Sequence, residues 1–147
     1  MKQIPETENA LVLRTDFSDL AAWDEICAEI QRPVGLLRFR ANVEFLDDVE
    51  YAGMSTNQLL EFLPHHYNHS FIIVADQTAI SFPEHPLLIV DLYKRTGNEF
   101  RAIPSTIQAI ENNLSIGNID FEEFAEAVHE DGVFRGFPND GQNPWLS

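Results

Sequence analysis

The chain is predicted to fold as an α/β domain, with a mixed, mainly parallel sheet of about five strands, helices packed on it and two consecutive C-terminal helices. Two continuous apolar runs, residues 71–74 (FIIV) and 87–90 (LLIV), are bounded by polar residues or proline, as strands buried on both faces are. Around them lie segments whose apolar residues recur at helical spacing. The stretch 105–137 then packs two helix patterns, their caps and a polar junction into consecutive positions.

Residues 10–15 (ALVLRT) read as a short buried strand. Asp16 or Ser18 offers an N-cap for a helix over about 19–31, on which Trp23, Ile26, Cys27 and Ile30 form one apolar stripe. Pro33 and Gly35 end it. From 37 to 46 the pattern alternates: Phe39, Ala41, Val43 and Phe45 point one way, and Arg38, Arg40, Asn42 and Glu44 the other. That is a strand with one wet face, near a sheet edge. Ser55 and Gln58 make a capping-box pair, with Met54 and Leu59 placed as a hydrophobic staple, for a helix over 56–63. After the two central strands, Gly97-Asn98 marks a turn too short for a helical crossover, so residues 100–103 return antiparallel.

Pro104 and Ser105 open a helix carrying Ile107, Ile110 and Leu114 in phase, with Gly117 suited to a left-handed cap. Asp120 caps the last helix, with Glu123 at the capping-box position and the Ile119–Phe124 staple; Phe121, Phe124, Ala125 and Val128 form its buried stripe. Gly132 stops it. Phe134 and Phe137 are expected core anchors, and residues 138–147 an irregular tail pinned at most by Trp145. No internal repeat or linker divides the chain, so residues 1–147 are expected to form a single domain.

Composition narrows the partners. Nine Lys and Arg stand against 24 Asp and Glu, a formal charge of -15. Such a chain repels phosphate backbones and anionic lipid, so neither nucleic acid nor membrane is an expected partner; the complementary partner is a basic protein or a cation. An acidic surface also serves solubility by itself. Cys27 is the only cysteine, which rules out an intramolecular disulfide and fits a small buried hydrophobe. The N-terminal residues lack an apolar signal core and no apolar run approaches a membrane span, so the expected compartment is the cytoplasm.

Four acids sit where α/β proteins tend to place ligands: Asp16 after the first strand, Asp47 and Asp48 after the second, and Asp91 inside the fourth. Were those strands parallel neighbours, the carboxylates would converge and could hold Mg²⁺ or share a proton. The competing reading makes Asp16 a helix cap, Asp47 and Asp48 a solvated turn, and Asp91 a local hydrogen-bond acceptor. His65, His66 and His69 include an i, i+4 pair that chelates a transition metal only if the preceding helix runs on past Pro64, which argues against it. His85 and His129 have no recognisable nucleophile motif beside them. There is no nucleotide-binding glycine loop, and no cofactor is expected.

Two polar features remain. Glu122, Glu126 and Glu130 recur every four residues on the last predicted helix, where like charges repel mildly, so this face is a candidate partner-binding surface as well as an ordinary solvated one. Glu111-Asn112-Asn113 lies late in the preceding helix, where Asn competes for backbone hydrogen bonds, and reads as a polar junction between the two C-terminal helices.

The segments at 11–17 (LVLRTDF), 41–48 (ANVEFLDD), 85–92 (HPLLIVDL), 111–116 (ENNLSI), 120–124 (DFEEF) and 131–137 (DGVFRGF) together resemble a family of small bacterial proteins carrying a domain of unknown function. The resemblance covers nearly the whole chain and implies a compact bacterial domain that stands alone. It brings no activity, catalytic residue or cofactor with it. The functional expectation from the residues is a non-enzymatic, acidic interaction module of inhibitor or immunity type. The alternative is a small enzyme or ligand-binding domain with an Asp-lined, Mg-dependent pocket. Carboxylates clustered in a concavity favour the alternative; carboxylates dispersed over an acidic surface favour the first.

Overall fold

The computed structural model describes residues 3–93 and 97–137. In chain order they form β1 (Ala10–Arg14), α1 (Leu20–Gln31), β2 (Val43–Leu46), α2 (Thr56–Glu61), β3 (Phe71–Ala75), α3 (Gln77–Ser81), β4 (Leu87–Asp91), β5 (Glu99–Ala102), α4 (Ile107–Ser115), α5 (Phe121–Glu126) and β6 (Val133–Phe134). The strands make a six-stranded sheet in the order β2-β1-β3-β4-β5-β6. β1 is parallel to both β2 and β3, β4 is antiparallel to β3 and β5, and β5 is parallel to β6. The sheet is therefore mixed, with β3 and β4 at its centre, and β5 returns antiparallel as the Gly-Asn signal indicates. The middle of that turn and the predicted tail with Trp145 lie outside the described residues.

Every residue of β1, β3 and β4 is buried, because both faces of the sheet are covered. Alternation divides them: Val12, Ile73 and Ile89 face one core with Trp23, Ile26 and Ile30 of α1, while Leu13, Ile72 and Val90 face a second core with Tyr51, Met54 and Leu59. Full burial of side chains such as Ile26 or Phe124, both at 0% exposure, contributes about 2–3 kcal/mol each. Phe100, Phe124, Phe134 and Phe137 stack at the β5–β6 end, with Phe124–Phe134 ring centroids 5.3 Å apart and Phe134–Phe137 5.0 Å. Of the two expected anchors Phe134 is a core residue and Phe137 is partly buried and packs against the same core, while Phe134 also extends the sheet as part of a short sixth strand that the sequence did not predict.

The local signals hold in most places. Ser55 and Gln58 form the reciprocal capping box, Oγ accepting from the Gln58 N–H at 3.3 Å and the Ser55 N–H donating to Oε1 of Gln58 at 3.0 Å. At α1 the cap is Asp19, whose Oδ1 accepts from the Ala22 N–H, and not Asp16 or Ser18. Cys27 is half-buried beside that helix's apolar stripe. Loss of solvent, followed by the negative charges of Asp24 and Asp47, pushes its thiol up to about 12, leaving it protonated and unreactive at neutral pH.

Two predicted spans change and one helix is added. The alternating segment 37–46 is a strand only over Val43–Leu46, because Val34 and Phe39 pair across a tight turn and Arg38 takes a left-handed conformation, φ 55°. β2 does lie at the sheet edge. The last helix ends at Glu126, since the His129 N–H donates to the Val133 carbonyl in a turn that carries the chain into β6, with Gly132 at φ 81°. Finally, α3 fills the link between β3 and β4. It is capped by Asp76 and followed by His85, whose positive φ of 52° is held by ring contacts to the Ala79 carbonyl and to Glu25.

Candidate functional site

The topology separates the four aspartates. Asp16 and the Asp47-Asp48 pair follow β1 and β2 at one end of the sheet, whereas Asp91 pairs in register with Phe71, the first residue of β3. Because β4 runs antiparallel to β3, its C-terminal end lies at the opposite end of the sheet. The parallel arrangement that would bring Asp91 to the others is not the one formed. Each member is also engaged locally. Asp16 accepts from both the backbone and the hydroxyl of Ser18, Asp47 pairs with Arg14 at 3.1 Å, Asp48 accepts from the Glu50 N–H, and Asp91 accepts from the Tyr93 N–H. Arg14 is itself buried, with its guanidinium 4.3 Å from the Phe17 ring centroid.

At that same end Asp76 caps α3 and receives Arg101 through two bonds, Nη1 to Oδ1 at 2.9 Å and Nη2 to Oδ2 at 2.7 Å. The end of the sheet where an α/β fold would conventionally hold a ligand is thus occupied by two internal arginine–aspartate pairs.

The histidine cluster does not sit on a helix. α2 stops before Pro64, His65 and His66 meet edge to face at 6.0 Å, and Nε2 of His69 lies 2.8 Å from the Thr7 carbonyl. No group of three or more His, Cys, Asp or Glu among the described residues has a metal-binding arrangement. Of the acidic triplet, Glu122 and Glu126 are on α5 and Glu130 falls in the turn after it, so the three do not share one helix face. All three are exposed. The base nearest to Glu130 in sequence, Arg135, is directed to Asp131 and Glu84, at 2.7 and 2.8 Å.

A concave surface lies at the other end of the sheet, where β1, β2 and β3 begin and β4 ends. Two adjoining cavities of about 560 and 630 Å³ share Asn68, His69 and Ser115 and form one groove along the C-terminal turn of α4. Its floor is set by the Glu111 network. Glu111 is 4% exposed; its Oε1 accepts from the Asn42 N–H at 2.6 Å and from Asn112, and its Oε2 accepts from the Ser115 hydroxyl. Asn112 also donates to the Arg40 carbonyl, so this junction ties α4 to the approach to β2. Asn113, also buried, receives the Asn118 amide at 2.8 Å, which is the contact toward α5 expected of the motif.

Five carboxylates line the groove, Glu8, Asp91, Glu111, Asp120 and Glu122, and no lysine or arginine does so among the described residues. Tyr93 and Ile116 stand at its walls, 80% and 77% exposed. Chemically it is a negative, hydrogen-bonding trough with apolar shoulders.

The family model described as a domain of unknown function, DUF6924, matches residues 9–137. The chain belongs to the DUF6924 family. No curated protein matches it. Residue 9, where the DUF6924 match begins, is itself on the groove wall. Among the groove residues of this DUF6924 domain, Glu111, Asn112, Asn113, Asp91 and Glu122 stood out in the sequence, whereas Asn9, Asn42, Asn68 and Asn118 did not. Those four are far apart along the chain, and nothing short of the strand order brings them together.

Proposed function

We propose that this DUF6924 domain is a non-enzymatic acidic interaction module whose partner is a basic protein, of the kind an inhibitor or immunity protein neutralises. The disposition of its arginines carries the reading. Arg14, Arg32, Arg101 and Arg135 are each paired with the domain's own carboxylates, Asp47, Glu29, Asp76 and Glu84 with Asp131. The remaining carboxylates give the outer surface its excess of the -15 formal charge. Among the described residues no helix is long and apolar enough to cross a membrane. Phosphate backbones and anionic lipid are repelled by the same charge that attracts a basic protein. The lone Cys27 and the resemblance to small bacterial proteins support a bacterial, cytoplasmic setting.

The test is recovery of a partner from a lysate of the source cells on the immobilised domain at low salt. The expected partner is basic, elutes as salt is raised, and is lost when Glu122, Glu126 and Glu130 are replaced by Lys. Recovery of acidic or neutral partners alone, unaffected by those replacements, contradicts the reading.

A further inference from the structure

We infer that β2 is the contact edge of a two-fold dimer, in which the Val43–Leu46 strands of two copies pair antiparallel and join the two sheets into one. This edge is distinct from the acidic α5 face, and the pairing does not depend on the interaction-module reading. The backbone of β2 has a neighbour, β1, on one side only, and among the described residues no further backbone bond reaches residues 43–46. In such a parallel pairing every second residue of the edge strand turns its N–H and C=O outward. The usual means of closing an edge are missing. β2 contains no proline, lysine or arginine, its register with β1 is unbroken by a bulge, and its one charge, Glu44, is spent on the Asn9 N–H at 2.8 Å.

The flanks of the strand identify its occupant. Before β2 lies a tight turn closed by two backbone bonds between Val34 and Phe39, at 2.8 and 2.9 Å. It presents Leu36, 96% exposed, with Leu37, Arg38 and Arg40 exposed beside it. Arg14, Arg32, Arg101 and Arg135 each pair with a carboxylate, whereas Arg38 and Arg40 pair with none among the described residues. After β2 come Asp47 and Asp48, then the exposed Val49 and Glu50. One flank is basic and apolar, the other acidic and apolar. Antiparallel pairing about a two-fold axis sets each flank beside the opposite flank of the other copy, so the Arg40 side faces the Glu50 side twice, and the Leu37 side faces Val49 twice. A strand from an unrelated protein would satisfy the outward backbone groups, but nothing on this edge would supply it with both matching flanks. Each copy carries a charge of -15, which opposes encounter, so the pairing is expected where salt screens charges beyond about 8 Å.

The test is the mass of the full chain by sedimentation equilibrium in about 0.15 M salt, from micromolar to millimolar concentration. The mass should rise from that of one copy to that of two and stop there. Over the same range amide exchange in β2 should slow, while the amides of β6, at the other edge, keep their rate. Arg40→Glu and Glu50→Arg, each alone, should weaken dimerisation about tenfold, because the two-fold axis turns two attractions into two repulsions. Both substitutions in one chain restore opposite charges across the contact and should recover most of the affinity. Both side chains are exposed, and an unchanged unfolding midpoint verifies the fold of each variant. A chain that stays a single copy at every concentration overturns the inference, as does growth beyond two copies. So does a dimer whose β2 amides exchange at the rate of the single copy, or one in which the double exchange of charge fails to recover what each substitution lost.

Discussion

Glu111 and Asn42 are joined by a hydrogen bond of 2.6 Å between a carboxylate oxygen and a backbone N–H, across 69 positions of sequence. The bond fixes the start of edge strand β2 against the C-terminal half of α4 and so sets the width of the groove between them. Replacing Glu111 by Ala removes the acceptor that the Asn42 N–H, the Ser115 hydroxyl and the Asn112 amide share at a part-buried junction. The expected cost is about 1–3 kcal/mol, read as a lowered midpoint in urea unfolding. Glu111→Gln, which keeps the shape but offers one acceptor oxygen for three donors, should fall between the two.

Asp76 performs two tasks that substitution can separate. It caps α3 by accepting from the Ala79 N–H at 3.1 Å, and it holds Arg101 through two bonds. Asp76→Asn keeps an N-cap oxygen and loses the paired charge, whereas Asp76→Ala loses both. Denaturant unfolding should show Ala destabilised by about 1 kcal/mol more than Asn, the ordinary worth of a cap. Equal losses would show that the cap contributes nothing.

The arrangement of Asp76 also shows where the sequence was legible. Long apolar runs such as 71–74 and 87–90 announce themselves, since a strand buried on both faces leaves no other place for them, and the Ser55–Gln58 pair announces a helix start through chemistry confined to four consecutive residues. α3 is only five residues long, too short for a period to emerge, and its stability comes from Asp76 and the core beneath Ala79 and Ile80. The overextension of the last helix has a similar cause: Val128 keeps the helical phase and still packs on the core, while His129 turns away to bond Val133. The groove was the least legible feature. Glu111 and its neighbours are unusual in a helix and could be flagged, but Asn9, Asn42 and Asn68 become neighbours only through the order β2-β1-β3, and the antiparallel β4 sends Asp91 to their end rather than to Asp16.

Arg135 gives a pH-dependent contribution with a definite sign. Its hydrogen bonds hold the carboxyls of Glu84 and Asp131 below their ordinary range, and the carboxylates in turn raise the guanidinium further. A carboxyl depressed in the folded state adds stability above its unfolded pKa and loses it as pH falls through the folded value. The stability difference between wild type and Arg135→Gln should therefore be present at neutral pH and vanish in acid. Because both carboxylates are exposed, added salt should shrink it at neutral pH as well. A difference that persists unchanged at low pH would mean that Arg135 acts through packing and not charge.

The most direct test of the central claim is the association rate of the domain with its recovered basic partner, measured across ionic strength for wild type and for Glu122→Lys with Glu126→Lys. Long-range attraction chiefly sets the rate of encounter, so the wild-type rate should fall steeply as salt rises. The double reversal should slow association about tenfold at low salt, flatten the salt dependence and leave unfolding essentially unchanged. A domain that merely carries a solvated acidic surface would show the same rate and the same salt dependence in both forms, with a slight gain in stability from relieved repulsion, and that result would contradict the account.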